Sequence, residues 1–348
     1  MSAVTDVPPP IDTEPDDRGA REAAARAANR SDRIFILAIQ GFAIFTLIVV
    51  AAIALFVLIA GWPSFAHNGL RWFTAGTDSL DTQLGWAFAG DPDGKPYYEM
   101  NAWSAIAGTL LTTAGALLVA FPISVLTAIF MAELAPKRVA AILNPIVTML
   151  AATPSVIFGL FAIIVVGPWI AAHVIPASIV DQLAAIVPIS GQSLLLGILV
   201  LAVMVSPLMT AIFTDALRAV PVRWKEGAIA LGCDPWRMSR RVSLQAIRPA
   251  LVAGSSLAMG RAVGEAIALS MAGGSFSFTP NPLDGVWMLF EPVRPLAATV
   301  VDYSEGFDGE ILRADLFAIG VVLFITTATL TIAGKTASGW AQKRLEGS

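Results

Sequence analysis

The sequence has little of what catalysis and metal binding usually draw on. Its 348 residues contain one cysteine, Cys233, and two histidines, His67 and His173. A lone cysteine excludes an intrachain disulfide, and this set leaves no credible zinc or haem ligand cluster. No metal or cofactor site is therefore expected in the chain. Charge is scarce too: Asp, Glu, Lys and Arg make up 14% of the residues against 56% hydrophobic ones, and the mean hydropathy is +0.72. Those values lie outside the range of a water-soluble domain. A net charge of −4 gives no reason to expect a nucleic-acid partner. The composition is that of an all-α, polytopic protein whose solvent is membrane lipid.

What is present is a series of apolar runs. Residues 1–32 form a polar tail rich in Pro, Asp, Ala and Arg, expected to be disordered except for a short helix around "REAAARAANR". Ile34 to Ala60 follow, 27 residues without a charge. As a helix this run spans about 40 Å, enough to cross a ~30 Å hydrocarbon core with tilt. Its length and the long leader before it argue against a secretory signal, so 33–61 is read as the first transmembrane helix. After an extracytoplasmic segment, 62–103, five more spans are expected within 104–334, near 105–132, 142–170, 194–213, 251–272 and 316–333. Residues 214–249 are then a cytoplasmic loop and 335–348 a cytoplasmic tail. Seventeen of the 22 basic residues fall in the tail, the "PKR" turn, the loop before the fifth span and the C-terminus. The positive-inside rule accordingly places both termini in the cytoplasm, the parity that six spans require.

Pro122, Pro145, Pro154 and Pro207 lie inside expected spans. Each removes a backbone donor, which a membrane tolerates where other protein groups or a wet cavity satisfy the freed carbonyl. Kinks that assist packing would suffice. At "ATPSVIFG", however, Thr153 and Ser155 flank Pro154 and could present hydroxyls to a solute path. Gly260 and Gly264 form a GxxxG, which permits close helix approach. No internal repeat suggests the inverted halves of secondary transporters.

The most informative soluble stretch is "VRWKEGAIALGCDPWRMSRRVSLQAIRP", residues 222–249. Trp224, Ala228 and Leu231 recur at helical spacing, and Gly232 suits the left-handed residue that closes a helix. Asp234 as N-cap and Pro235 at the first helical position then open a second helix. The expected product is a rigid, basic, partly apolar knob. Glu226, Gly227, Ala228 and Gly232, followed by Val242 and Leu244, resemble the EAA motif, E-A-A-x3-G-x9-I-x-L-P, by which permeases of ABC importers dock onto their ATPases. Gly227 departs from the second Ala, at a helix cost of up to ~1 kcal/mol, and Gln245 replaces the final Pro.

Over roughly 30–340 the chain resembles the PstC-type permease subunits of phosphate ABC importers. The matching segments are "GLRWFTAGTD", "AIAGTLLTTAGALLVAFPISVLTAIFMAELAP", "LAATPSVIFGL" and "RPALVAGSSLAMGRAVGEAIAL". The insertion near "GWAFAGDPDGKPYYEM" and the acidic tail fall outside the pattern. The resemblance implies the type I ABC importer permease fold, a five-helix core plus an N-terminal helix, in a bacterial inner membrane. It also implies a PstA-like second permease, a PstB-like ATPase dimer at the Glu226 loop and a PstS-like phosphate-binding protein outside. ATP and Mg would be held by the ATPase partners. The fragment "GKT" at Gly334 to Thr336 is no P-loop, since no Gly stands five residues earlier and it ends a span.

Within "GRAVGEAIAL" stand two charges, Arg261 and Glu265. A charge at a helix centre costs ~2.5 to 3.5 kcal/mol, so such residues usually face a bundle interior or a wet cavity. Spaced i, i+4 on a continuous helix they would share a face and neutralise each other, although Arg before Glu is the weaker order. In a phosphate permease the guanidinium would grip phosphate oxygens bidentately. Glu265 would hold it and weaken that grip enough for release. Three other readings stay open: a structural pair fixing helix packing, a permease for another oxyanion such as sulfate or molybdate, and an ATP-independent channel or secondary transporter.

Overall fold

The computed structural model describes residues 18–76, 78–175, 191–274, 276–280 and 282–346, and among them all regular structure is helical. It divides into two units, 1–56 and 57–348. The first helix, α1 (Arg18–Asn68), begins inside the stretch expected to be disordered. Ala and Arg are strong helix formers, and "REAAARAANR" runs without interruption into the apolar segment. Residues 1–17 of the expected tail lie outside the described residues. From Phe35 to Phe56 apolar side chains are exposed around the whole circumference, Phe42 at 74% and Leu47 at 68%. That surface suits lipid and no aqueous setting.

In the second unit the elements are α2 (Leu80–Ala89), α3 (Trp103–Ile129) with a π-helical turn (Phe130–Leu134), and α4 (Lys137–Ala151). Then come α5 (Ser155–Phe161) and α6 (Gly167–His173), joined by another π turn, and α7 (Leu194–Ala219). The loop helices α8 (Val222–Ala230) and α9 (Pro235–Met238) precede α10 (Arg248–Val263), α11 (Ile267–Gly273), α12 (Leu296–Asp302) and α13 (Glu310–Glu346). Among the described residues, five segments are long and apolar enough to cross a membrane: Phe35–Phe73, Trp103–Leu134, Ser155–His173, Leu194–Ala219 and Glu310–Thr336.

Two expected spans are corrected. The third starts at Ser155 rather than near Ile142, because α4 ends before Pro154, which lacks an N–H and holds an extended backbone (φ −58°, ψ 136°). The fifth, expected at 251–272, is divided between α10 and α11. Pro122, Pro145 and Pro207 lie inside continuous helices; of these four prolines only Pro154 stands between two helices.

The core forms where small residues let helices close. Ala116, Ala120 and Ala128 of α3 meet Leu201, Val205, Met209 and Phe213 of α7. A Cβ on Gly254 of α10 would come within 2.8 Å of the Phe213 ring. The GxxxG is not the contact between α10 and α13: a Cβ on Gly260 would find Thr331 no nearer than 3.8 Å, and one on Gly264 would meet only its own backbone. That contact is made at Gly334, where a Cβ would fall 1.9 Å from the Ser256 hydroxyl. Gly334 to Thr336 continue the α13 helix.

Trp72, Leu80, Leu84 and Met100 pack with Leu296, Leu312 and Leu316 into a second core. The Trp72 indole N–H donates to the Ser64 hydroxyl at 3.1 Å. Above this core lies an ionic network. Arg294, 7% exposed, pairs with Asp81 of α2 and, at 3.0 Å, with Asp302 of α12. Its guanidinium lies 5.5 Å from the centre of the Tyr303 ring. Asp81 also accepts the Ser277 N–H at 2.6 Å and the Ser277 and Tyr303 hydroxyls at 3.1 Å. Asp302 accepts the hydroxyl of Ser270 on α11. Burial and then the Asp81 carboxylate push the Tyr303 phenol up to about 12, so it remains a donor to Asp81 at ordinary pH.

Two outcomes are expected in thermal unfolding of the purified chain in detergent. Arg294→Met leaves two carboxylates uncompensated and should lower stability by about 3 kcal/mol. Gly334→Val forces α13 off Ser256 and should cost about 1 to 3 kcal/mol, whereas Gly264→Ala should be nearly silent in the same assay. Equal effects at Gly334 and Gly264 would restore the GxxxG as the packing element.

Candidate functional site

The charges of "GRAVGEAIAL" lie at a break in the main chain. Helix α10 ends at Val263; the Gly264 N–H still reaches the Gly260 carbonyl at 3.4 Å, and the Glu265 N–H turns to Ala262 at 3.2 Å. Helix α11 begins two residues later. Arg261 sits in the last turn of α10, where its charge complements the negative helix end, and its side chain is exposed. Glu265 is half-buried and its Oε1 accepts the Ala268 N–H at 3.3 Å, satisfying a donor in the first turn of α11. The expectation that the two share a helix face and neutralise each other is corrected. Among the described residues no ion pair joins them, because the chain leaves helical geometry between them and the i, i+4 relation is lost.

The second break is at Ala152 to Pro154. The Ala152 N–H is shared between Thr148 and Met149 carbonyls at 3.2 Å, and the Thr153 N–H bonds Leu150 at 3.2 Å. The Thr153 hydroxyl donates back to Met149 at 2.9 Å, so its proton is used within its own segment and only its oxygen lone pairs face outward. Ser155 opens α5 and is half-buried. The helices that follow the two breaks touch. A Cβ on Gly159 of α5 would lie 3.1 Å from Cα of Ala268 and 2.9 Å from the Met271 sulfur, both on α11. Thr153 and Ser155 flank one break and Arg261 and Glu265 the other, and the helices that follow, α5 and α11, pack on each other.

The loop of residues 222–249 follows the local chemistry of its sequence. Gly232 has φ +84°; its N–H bonds Ile229 at 2.9 Å and the Cys233 N–H reaches Ala228 at 3.1 Å, a Schellman closure of α8. The Asp234 carboxylate caps α9 by accepting the Arg237 N–H at 2.8 Å, with Pro235 next. Ala228 is buried, Val242 and Leu244 are half-buried, and Glu226 and Gly227 are exposed. The outer surface is apolar, with Leu231 exposed at 89%, Val222 at 64% and Trp224 at 57%. A monomer has no use for such a patch.

Sequence reasoning missed two anchors. Lys225 pairs with Glu133 at 3.1 Å and donates to the Leu217 carbonyl at 2.8 Å, fixing α8 to the ends of α3 and α7. An acid in "FMAELAP", at the end of an apolar run, was the available signal. The network of Asp81, Arg294, Asp302 and Ser270 ties the outer segment to α11, and Asp81 and Arg294 are separated by 213 positions, beyond any spacing rule.

Comparison with known proteins agrees with this architecture. Residues 124–346 match the family described as binding-protein-dependent transport system inner membrane component. The chain is 34% identical over 283 residues to the phosphate transport system permease protein PstC 1 of Mycobacterium tuberculosis, covering 77% of this chain and 81% of that protein. It is 28% identical over 335 residues to the PstC of Mesorhizobium japonicum, covering 94% of each. Among solved structures, a bacterial ABC transporter involved in import of the acidic polysaccharide alginate superposes with a TM-score of 0.52 at 14% identity, over 90% of this chain and 98% of that one. The fold is that of a type I ABC importer permease, and the chain belongs to the family of inner membrane components of binding-protein-dependent transport systems.

Proposed function

We propose that this chain is a PstC-type translocation subunit of an ATP-driven inorganic phosphate importer, with both termini in the cytoplasm. The observation that carries the reading is Arg261: a full charge within the run "GRAVGEAIAL", exposed at the end of α10 and without an ion-pair partner among the described residues. Lipid does not accept such a group, so in the assembled membrane it faces another subunit or a wet path. The phosphate transport named for its relatives supplies the anion that fits. A guanidinium binds phosphate oxygens through two parallel N–H donors and keeps its charge at every physiological pH.

Glu265 limits that grip. Standing four residues from Arg261, it offers an acceptor to a protonated phosphate oxygen, which fully ionised sulfate cannot supply. Ser155, and the lone pairs of Thr153, would complete the lining. A PstA-like permease would furnish the other wall, a PstS-like protein would deliver phosphate from outside, and two PstB-like ATPase subunits, holding ATP and Mg, would seat on the apolar cap of α8 and α9.

The test is uptake of labelled phosphate by vesicles containing the chain with its partners. Uptake should require ATP and be inhibited by arsenate but not by sulfate or molybdate; ATP-independent uptake overturns the importer, and sulfate competition replaces the substrate. Arg261→Ala should reduce uptake about tenfold or more, the value of a charge-assisted hydrogen-bond pair. Arg261→Lys should fall between, since it keeps charge and loses the planar fork. Leu231→Asp and Glu226→Ala should release the ATPase subunits in co-purification while the permease stays folded. Gly232→Ala should weaken docking more mildly, through about 1 kcal/mol of strain at its positive φ.

A further inference from the structure

The cytoplasmic end of α10 carries a groove of about 550 Å³ lined by Arg240, Arg241, Leu244, Gln245, Arg248 and Leu251. Three guanidiniums converge there, all exposed, and among the described residues none has a carboxylate within ion-pair distance. Three other cations of this loop find partners: Arg218 donates to Asn144 at 3.2 Å, Lys225 pairs with Glu133 at 3.1 Å and Arg237 with Asp234 at 3.7 Å. Arg248 is moreover the first residue of α10, where the helix dipole is positive and a cation is unfavourable. Like charges gathered at a positive helix end need an anion from outside the chain.

The lining identifies which anion. On the topology proposed above, with this loop in the cytoplasm, Arg248 at the start of α10 puts the groove beside the inner-leaflet headgroups. Leu244 and Leu251 give it an apolar side beside the three charges. A free ion would use only the charged half. We propose that this groove binds an anionic phospholipid, its headgroup phosphate held by Arg240, Arg241 and Arg248 and the start of an acyl chain lying along Leu244 and Leu251. Basic pockets beside spans on the cytoplasmic side are suited to such headgroups, each Arg or Lys contributing comparably. The bound lipid would neutralise the base of the divided helix, next to the docking knob. This site does not depend on which solute the complex carries.

The experiment is native mass spectrometry of the complete complex after mild delipidation and titration with phosphatidylglycerol or phosphatidylcholine. Retained phosphatidylglycerol should fall about fivefold for each of Arg240→Gln, Arg241→Gln and Arg248→Gln, and about a hundredfold for the triple variant. Phosphatidylcholine should bind poorly to all, and millimolar inorganic phosphate should not displace the lipid. Equal retention by wild type and the single variants overturns the site. Displacement by inorganic phosphate assigns the groove to the free ion instead. Loss of the ATPase subunits with lipid retained assigns it to that protein interface. The single variants keep the test decisive if the triple variant fails to assemble.

Discussion

The bilayer core offers no water to a backbone N–H or carbonyl, and everything else in this protein is arranged around that fact. Helices answer it by satisfying themselves, so any departure from helix inside a span must be met by named groups. At the first break the Ala152 and Thr153 amides fold back onto Thr148, Met149 and Leu150, the Thr153 hydroxyl serves Met149, and Pro154 has no donor to satisfy. At the second, Gly264 and Glu265 bond back into α10 while the Glu265 carboxylate receives the Ala268 amide. The same side chain that carries charge into the span therefore also satisfies the backbone where the span is divided.

Charge obeys the same constraint, and comparing the ionic groups shows which one is unusual. Arg294 is held between Asp81 and Asp302 under the Tyr303 ring, and Lys225 is held by Glu133 and a carbonyl. In each case the cost of leaving water is offset within the chain. Arg261 has no carboxylate partner among the described residues; it stands exposed in the last turn of α10, where its charge complements the helix end. The contrast is between charges sealed by the chain's own fold and one left open beside the division of the fifth span.

What the sequence reveals follows from the range of the forces involved. The knob at 222–249 is legible almost atom by atom because a positive-φ glycine, an Asx cap and a following proline act over four or five residues. Hydropathy likewise locates Ile34–Ala60 and the other uninterrupted spans. The division of the fifth span is not legible: "GRAVGEAIAL" contains no proline and could continue as a helix, and the half beyond the break packs on Gly159, more than a hundred positions away in sequence. The GxxxG misleads for a related reason, since close approach depends on what lies opposite, and Ser256 lies opposite Gly334. Arg294 reads from sequence as one more outer-loop charge, because both its carboxylates arrive from other elements.

These contacts also define which parts can move together. Helix α11 is held to α5 at Gly159, to Asp302 through Ser270, and by way of Ser277 to Asp81 of the outer segment. Helix α10 is held to α7 at Gly254 and to α13 at Gly334, and its base joins the docking loop. Both halves of the fifth span pack on α7; beyond that shared neighbour, α11 is tied to α5 and to the segment that carries Asp81, and α10 to α13 and the loop of residues 222–249. Between them lie Gly264 to Ala266, where rotation disrupts fewer ladder hydrogen bonds than anywhere else along the span. Arg261 stands one turn before that point and Glu265 within it.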